Sequence, residues 1–135
     1  MNEYELHRGI ALWLNEVLPP GSVMHHSPGE GRRHVAFASK LKQMGMQAGW
    51  PDLELFIPAL GFSENQRQAP IFLEIKTQKG KVRSNQTEIH TRLRGSGCYV
   101  FVVRSICEVE SCLSELLTLD IRAKARLLMQ IAEEA

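Results

Sequence analysis

The fold is decided by two short stretches of the sequence, Gly49-Trp50-Pro51-Asp52-Leu53 and Phe72-Leu73-Glu74-Ile75-Lys76. Side chains alternate between the two faces of a strand, so Glu74 and Lys76 share one face while Ile75 points into the core. Asp52 stands at the head of the apolar run that precedes this strand. If the two runs pair as a hairpin, the carboxylate of Asp52 reaches Glu74. The sequence therefore predicts two acids and a base side by side on one sheet.

These three side chains have the chemistry that phosphodiester hydrolysis requires. A hard divalent cation polarises a phosphoryl oxygen and acidifies a water, and it prefers oxygen ligands such as the carboxylates of Asp52 and Glu74. The ammonium of Lys76 can hold the attacking water or neutralise charge that develops on the phosphate. An isolated Glu-x-Lys is more often a surface pair on a half-exposed strand, so the neighbouring sequence has to decide between the two interpretations.

The sequence after the second stretch favours the first interpretation. A polar, basic loop precedes a helix that begins near Gln86. Ser84 or Asn85 can cap this helix, and Glu88 would complete a capping box with Asn85. The run at 98–103 then has the composition of a fully buried strand. A strand, a helix and a second strand in this order predict a parallel crossover.

Taken in order, these features resemble the virus-type replication-repair nuclease (VRR-NUC) family, a branch of the PD-(D/E)xK nuclease superfamily. The resemblance rests on Gly-x-Pro-Asp, Glu-x-Lys, a Gln ten residues beyond Lys76, and a Gly before a valine-rich strand that ends in Arg104-Ser105. Two further pieces precede them, Gly31-Arg32-Arg33 and Leu41-Lys42-Gln43-Met44-Gly45-Met46. The likeness covers about residues 3–110, with Val82-Arg83-Ser84 in place of the family's usual Leu-Ser before the Gln.

The resemblance implies a restriction-endonuclease-like α/β fold, in which a central mixed β-sheet is flanked by α-helices. It also implies cleavage of DNA with Mg²⁺ or Mn²⁺ as the cofactor. Asp52 and Glu74 then bind the metal, with the backbone carbonyl of Ile75 as a further ligand. Lys76 orients or activates the water, and Gln86 positions Lys76 or the substrate phosphate. The family resemblance points to branched or flapped replication and repair intermediates, including four-way junctions.

The first helix is expected from Glu3 to Leu18, where apolar residues recur at helical spacing until Pro19-Pro20-Gly21 ends the pattern. In PD-(D/E)xK nucleases such a helix often contributes an acid to the metal site. Glu3 lies three residues before Leu6 and matches this position best, and Glu5 is its competitor. Either acid can instead complement the positive end of the helix dipole.

Length and composition predict one domain. With 135 residues, 44% of them apolar, the chain can bury a core, and we expect a single VRR-NUC-like domain over 1–135, with its core at about 3–110 and a helical extension at 111–135. No apolar run reaches the length of a membrane span and the acidic N-terminus is unlike a signal peptide, which favours the cytoplasm of a bacterial cell or a phage-infected host. The three cysteines contain no C-x-x-C pair and are expected to be buried small hydrophobes: Cys98, Cys107 and Cys112.

The net charge of +1 conceals a basic centre. Residues 31–104 contain twelve Lys or Arg and five Asp or Glu, and two of those acids are the proposed metal ligands. This distribution favours binding to a polyanion such as DNA. The basic residues expected to contact phosphates are Arg32, Arg33, Lys79 and Lys81.

The end of the chain is expected to be helical. Ser105 and Glu108 predict a capping box for a helix that runs to about Leu117, and Asp120 can cap a final helix. That helix carries an apolar stripe that either packs on the core or meets a partner, at Ile121, Leu128 and Ile131. We expect a symmetric homodimer, because cutting both strands of a two-fold substrate requires two active sites.

The sequence leaves other interpretations open. A non-catalytic nucleic-acid-binding module of a replication or repair complex would keep the same fold, although clustered carboxylates facing phosphate argue against it. RNA is a weaker alternative substrate. His90 lies four residues after Gln86 on the same helix face and can contact a phosphate, but a simple surface position is favoured.

Overall fold

The computed structural model describes residues 1–27, 35–120 and 132–134 of the 135-residue chain. Its elements, in chain order, are α1 (Glu3–Val17), β1 (Val23–His26), α2 (Val35–Gln43), β2 (Leu53–Phe56), a 3-10 turn (Ala59–Gly61), β3 (Ile71–Ile75), α3 (Ser84–Gly95), β4 (Tyr99–Val103) and α4 (Ile106–Leu113). The described strands form a sheet in the order β1-β2-β3-β4, in which β3 and β4 are parallel and the other pairs are antiparallel. The predicted α/β fold, a mixed sheet with flanking helices, is confirmed.

The pairing of β2 with β3 creates the neighbourhood that the sequence predicts. Leu53 lies opposite Leu73 in an antiparallel register. Asp52 precedes this pair on one strand and Glu74 follows it on the other, so the two acids are adjacent at the same end of the hairpin. Because side chains alternate along a strand, both acids point away from the core that Leu53 and Leu73 enter.

The main core lies between the sheet and two helices, α1 and α4. The buried residues of α1 recur every three or four positions and are Leu6, Ile10, Trp13, Leu14 and Val17. They pack in one cluster with Leu55 and Ile75 of the sheet and Val109 of α4. Each such side chain contributes about 1.5–3 kcal/mol of burial free energy. This packing fixes one face of β3, so the acids on its other face are held by a rigid strand.

The helix α3 forms the crossover between the parallel strands β3 and β4. It begins at Ser84, and the carbonyl Oε1 of Gln86 accepts a hydrogen bond from the backbone N–H of Arg83 at 2.9 Å. The predicted capping box of Asn85 with Glu88 is therefore wrong. A Gln in the first turn can reach back to the N–H before the helix, and here it does so in place of the Glu.

The helix α4 begins as predicted, because the hydroxyl of Ser105 caps its first turn. It ends at Leu113, earlier than the predicted end at about Leu117. After it the chain turns back onto the 3-10 turn, where the N–H of Thr118 donates to the carbonyl of Gly61 at 2.9 Å. This docking replaces the last turn of the expected helix.

One expectation about burial is also wrong. The cysteines are not buried: Cys107 is exposed, whereas Cys98 and Cys112 are half-buried. Besides this, Phe37 of α2 is 53% exposed and Met44 beyond its end is 83% exposed, so this side of α2 is open. Within the described residues, no helix has the length and apolar character needed to cross a bilayer.

Two predicted regions lie outside the described residues. One is the basic stretch Gly31-Arg32-Arg33. The other is the final helix with the apolar stripe of Ile121, Leu128 and Ile131.

Candidate active site

Asp52 is fixed at the end of the hairpin by two hydrogen bonds. Its Oδ2 accepts from the backbone N–H of Ile75 at 2.7 Å, which ties the carboxylate to β3. Its backbone carbonyl lies 2.9 Å from Nδ1 of His26, at the end of β1. Since a carbonyl only accepts, Nδ1 of His26 must carry the proton of this bond. Asp52 is therefore held from both neighbouring strands before any ligand is bound.

Glu74 lies beside Asp52 in a buried position, with 2% of the residue exposed. Burial raises the pKa of Glu74 to about 9, and Asp52 adds to the rise through a hydrogen bond and its charge, while the ammonium of Lys76 acts in the opposite direction. Two carboxyl groups this close do not ionise together easily unless a positive charge joins them. At neutral pH the metal-free pair therefore retains a proton.

His90 is a further site residue, and its expected surface position is wrong. It is 2% exposed, and its Nε2 lies 3.0 Å from Oε1 of Glu74. Burial lowers the pKa of His90, and the positive charges of Arg94 and Lys76 lower it further. The helical spacing from Gln86 placed His90 on the correct face of α3, but the sequence did not show that this face packs against the sheet.

Lys76 follows β3 and continues its alternation, so it shares the face of Glu74. Its backbone N–H donates to the carbonyl of Val103 on the parallel strand β4, at 3.0 Å. The residue is 7% exposed, and in the described part of the chain its ammonium forms no ion pair. Its charge lowers the pKa of Glu74, so the ammonium lies on the side of the two acids, and a charge held in such a cluster is a candidate for binding a ligand.

Gln86 is buried, 5% exposed, on the same helix as His90. Its carbonyl oxygen is used in capping α3, as described above. The amide N–H groups of Gln86 remain for another partner, and they are donors. This supports a contact with an acceptor such as a phosphate oxygen more than one with the ammonium of Lys76, which is also a donor.

The two acids of the first helix have different surroundings. Glu5 exchanges hydrogen bonds with Asn2 in the capping box of α1. The charge of Glu3 instead contributes to the raised pKa of Glu74, so Glu3 faces the site of Asp52 and Glu74. This difference favours Glu3 over Glu5 as the acid that the first helix provides.

Two histidines that the sequence did not assign to the site lie next to it. The rings of His7 and His26 meet edge to face, with centroids 4.5 Å apart. Burial and the charge of His26 lower the pKa of His7, whereas Asp52 and Glu3 act to raise it. His7 follows Glu3 by one helical turn, and this spacing was the available signal in the sequence.

The loop that carries Asp52 is anchored on α3 and β2. Gly49 has φ +80°, and a Cβ built on it would lie 2.6 Å from the carbonyl oxygen of Asn85. Nε1 of Trp50 donates to the carboxylate of Glu54 at 2.6 Å, and its ring packs edge to face on Phe72. These contacts leave no room for a side chain at Gly49 and fix the path of the chain into Asp52.

The loop after Lys76 is held by Arg104, which the sequence placed at the end of β4 without a role. One guanidinium nitrogen of Arg104 donates to the carbonyls of Thr77 and Gly80, each at 2.6 Å. Lys79 and Lys81 are exposed in this loop. A cleft of about 390 Å³ lies beside it and is lined by Met1, Leu6, Thr77, Gln78, Lys79 and Arg104.

The donor set fits a hard divalent cation. Asp52 and Glu74 offer carboxylate oxygens, and the carbonyl of Ile75 belongs to the residue that directly follows Glu74 on β3. Among the described residues, no three His, Cys, Asp or Glu side chains converge as a complete cage. Mg²⁺ and Mn²⁺ suit such sites because Mg²⁺ binds through one or two carboxylates and keeps several waters, and Mn²⁺ prefers similar oxygen ligands.

The fold and the cluster define an α/β domain in which a mixed sheet carries two acids and a lysine at the end of paired strands. No protein-family model and no curated protein matches the chain. Among solved structures, a VRR_NUC domain protein is similar to it, with a TM-score of 0.63 and 25% identity over 85% of this chain and 87% of that one.

A second solved structure, a VRR_NUC domain, has a TM-score of 0.52 and 23% identity over 83% of this chain and 94% of that one. At this identity the likeness concerns the fold. The resemblance that the sequence indicated is thereby confirmed: the chain has the fold of VRR-NUC domains, which are nuclease domains.

Proposed function

We propose that the protein is a divalent-metal-dependent endonuclease that cleaves structured DNA. The observation that carries the proposal is the adjacency of Asp52 and Glu74, with the largely buried Lys76 directly after β3 on the face of Glu74. The VRR-NUC fold around this cluster supports a nuclease, and the basic centre of the sequence supports a nucleic-acid substrate.

Each residue has a defined part in this proposal. Asp52, Glu74 and the carbonyl of Ile75 would hold Mg²⁺ or Mn²⁺, and Glu3 would complete the site. When bound, such an ion would supply the positive charge that polarises a phosphoryl oxygen and acidifies a water. Lys76 orients that water and neutralises charge on the phosphate. Gln86 donates its amide N–H to a phosphate oxygen.

The phosphate contacts proposed outside this centre are Arg32, Arg33, Lys79 and Lys81. Lys79 and Lys81 are exposed in the loop that directly follows Lys76, so they can reach the backbone next to the scissile bond. Contacts of this kind position DNA without reading its sequence. We therefore propose recognition of shape, with branched or flapped DNA and four-way junctions as the substrates.

A non-catalytic DNA-binding module is the second candidate, and the site argues against it. Burying the carboxyl group of Glu74 beside that of Asp52 destabilises the fold, and a module that only binds phosphate gains nothing from the acids. RNA is a further alternative substrate within the enzyme class. The DNA-binding module and the RNA nuclease predict different results in one cleavage assay.

The test is cleavage of labelled four-way junction, flap, duplex and single-stranded DNA, and of a matched RNA, with and without Mn²⁺. We expect metal-dependent cleavage at the branched substrates and none by Asp52→Asn. Glu88→Gln, which removes an exposed acid of α3, is the matched control and should cleave normally. Tight DNA binding by the wild type without cleavage in Mn²⁺ would favour the binding module, and faster cleavage of RNA would favour the RNA alternative.

We also propose that the protein acts as a symmetric homodimer, since a two-fold junction needs two active sites. Light scattering at micromolar concentration tests this, and a monomer mass contradicts it. The apolar stripe proposed for the interface lies outside the described residues. A folded Leu128→Glu variant that stays dimeric would exclude that stripe as the interface.

A further inference from the structure

Each of the two acids at the site has one oxygen that is already bonded within the protein. Oδ2 of Asp52 accepts from the N–H of Ile75 at 2.7 Å. Oε1 of Glu74 is 3.0 Å from Nε2 of His90, and the side chains of this pair are 2% and 3% exposed. The pair is therefore closed to solvent, so water does not replace His90 as the partner of Oε1.

His90 is held in this position by the way α3 is docked. The helix begins where Gly49 approaches the carbonyl of Asn85, and its first turn is closed by Gln86. His90 follows one turn later on the same face. The contact of Gly49 with Asn85 and Gln86 fixes the start of α3 against the loop of Asp52, and His90, one turn after Gln86, lies 3.0 Å from the acid on β3.

From this geometry, and on the basis of the proposed function, we propose that His90 is a positioning residue that occupies one oxygen of Glu74 and thereby limits the site to a single divalent cation. Apart from the hydrogen bond that Asp52 and Glu74 make to each other, which a bound cation would replace, each carboxylate then has one oxygen that is not bonded to the rest of the protein. A pair of metal ions about 3.5–4 Å apart needs ligands that contact both ions. A carboxylate with one oxygen already bonded to the protein is poorly suited to bridge them.

The role of His90 is to aim Glu74, not to bind the metal. Its ring nitrogen contacts the carboxylate oxygen directly, and partners of this kind keep a metal-binding carboxylate in one rotamer. Loss of such a partner lowers metal affinity by about 10–100-fold. A Gln side chain can place an amide N–H where Nε2 lies, so His90→Gln should conserve the function that His90→Phe removes.

The experiment is calorimetric titration of the metal-free wild-type protein with Mn²⁺, with electron paramagnetic resonance of the bound ion. We expect one Mn²⁺ per chain and an uncoupled spectrum. His90→Phe should weaken binding about 10–100-fold, while His90→Gln should stay within about threefold of the wild type. Thr91→Ala, a change at the neighbouring exposed position of α3, is the matched control and should bind as the wild type does.

Two Mn²⁺ ions per chain, or a spin-coupled pair, would overturn the inference even if the enzyme cleaves DNA normally. Equal affinity in folded His90→Phe would overturn the positioning role, as would a His90→Gln variant as weak as His90→Phe. If His90→Phe does not fold, the wild-type stoichiometry and His90→Gln still decide. Failure of the proposed function is separate: it appears as a wild-type protein that binds one Mn²⁺ and cleaves nothing.

Discussion

Gly49 gives the sharpest test of how the site is assembled. A single added methyl group should push the loop that carries Asp52 away from the backbone of α3. Its φ of +80° lies in the left-handed region, where a side chain costs about 1–2 kcal/mol. A Cβ there would also lie 2.6 and 2.8 Å from the carbonyl oxygen and carbon of Asn85. These are backbone atoms and cannot rotate away. Overpacking of this kind costs about 1–3 kcal/mol more.

We therefore expect Gly49→Ala to lose about 2–5 kcal/mol of unfolding free energy, a fall in Tm of roughly 6–20 °C for a domain of this size. The folded fraction should cleave roughly 100-fold more slowly, because the loop must move and carry Asp52 away from Glu74. Thermal melts by circular dichroism and single-turnover cleavage measure the two effects.

Gly45 is the matched control for this prediction. It has φ +100° but nothing within 4 Å of a Cβ built on it. Gly45→Ala should therefore show the conformational cost alone, about 1–2 kcal/mol, with normal cleavage. A Gly49→Ala variant as stable and as active as Gly45→Ala would refute the argument that this close contact positions Asp52.

Three more predictions follow from the electrostatics of the site and its loops. The metal-free fold raises the pKa of Glu74 from 4.5 to about 9, so between these pH values the folded state binds more protons than the unfolded state. The free energy of unfolding should therefore fall as pH rises through that window. The metal-free Tm should then decrease from about pH 6 to about pH 8.5 more in the wild type than in Glu74→Gln, and an equal decrease would contradict the shift. Arg104→Gln loses both carbonyl contacts to the loop after Lys76 and should raise KM for DNA more than it lowers kcat, as steady-state kinetics would show. Lys79→Ala and Lys81→Ala should each reduce the salt slope of DNA binding by about one. Arg67→Ala, at the opposite end of β3 beside Tyr99, is the control and should leave the slope unchanged. If the lysine variants have the same salt slope as the wild type, the two lysines do not contact the phosphates.

The central cluster could be predicted from the sequence because its geometry is local. Alternation along β3 fixes the relation of Glu74 to Lys76, and one hairpin register brings Asp52 beside them. The same holds for the parallel crossover, which follows from the order of strand, helix and strand. Short-range rules were sufficient for these features because few other arrangements bury the apolar runs.

The supporting residues could not be predicted, because their roles depend on tertiary packing. Helical spacing shows that His90 shares a face with Gln86, but only the docking of α3 on the sheet turns that face toward Glu74. Arg104 is likewise an ordinary strand-end residue until the parallel register of β4 brings it beside the loop after Lys76. The cap of α3 shows a local competition, because the helix is capped at Arg83, two residues before Asn85, and Gln86 instead of Glu88 closes its first turn.

The central claim is that Asp52, Glu74 and Lys76 form a metal-dependent catalytic centre, and one measurement tests it most directly. This is the single-turnover rate of cleavage of labelled branched DNA by the wild type and by Glu74→Gln, in Mn²⁺ and in excess chelator. We predict cleavage only by the wild type with Mn²⁺, with Glu74→Gln folded and still bound to DNA. Undiminished cleavage in chelator, or an active Glu74→Gln enzyme, would contradict the account.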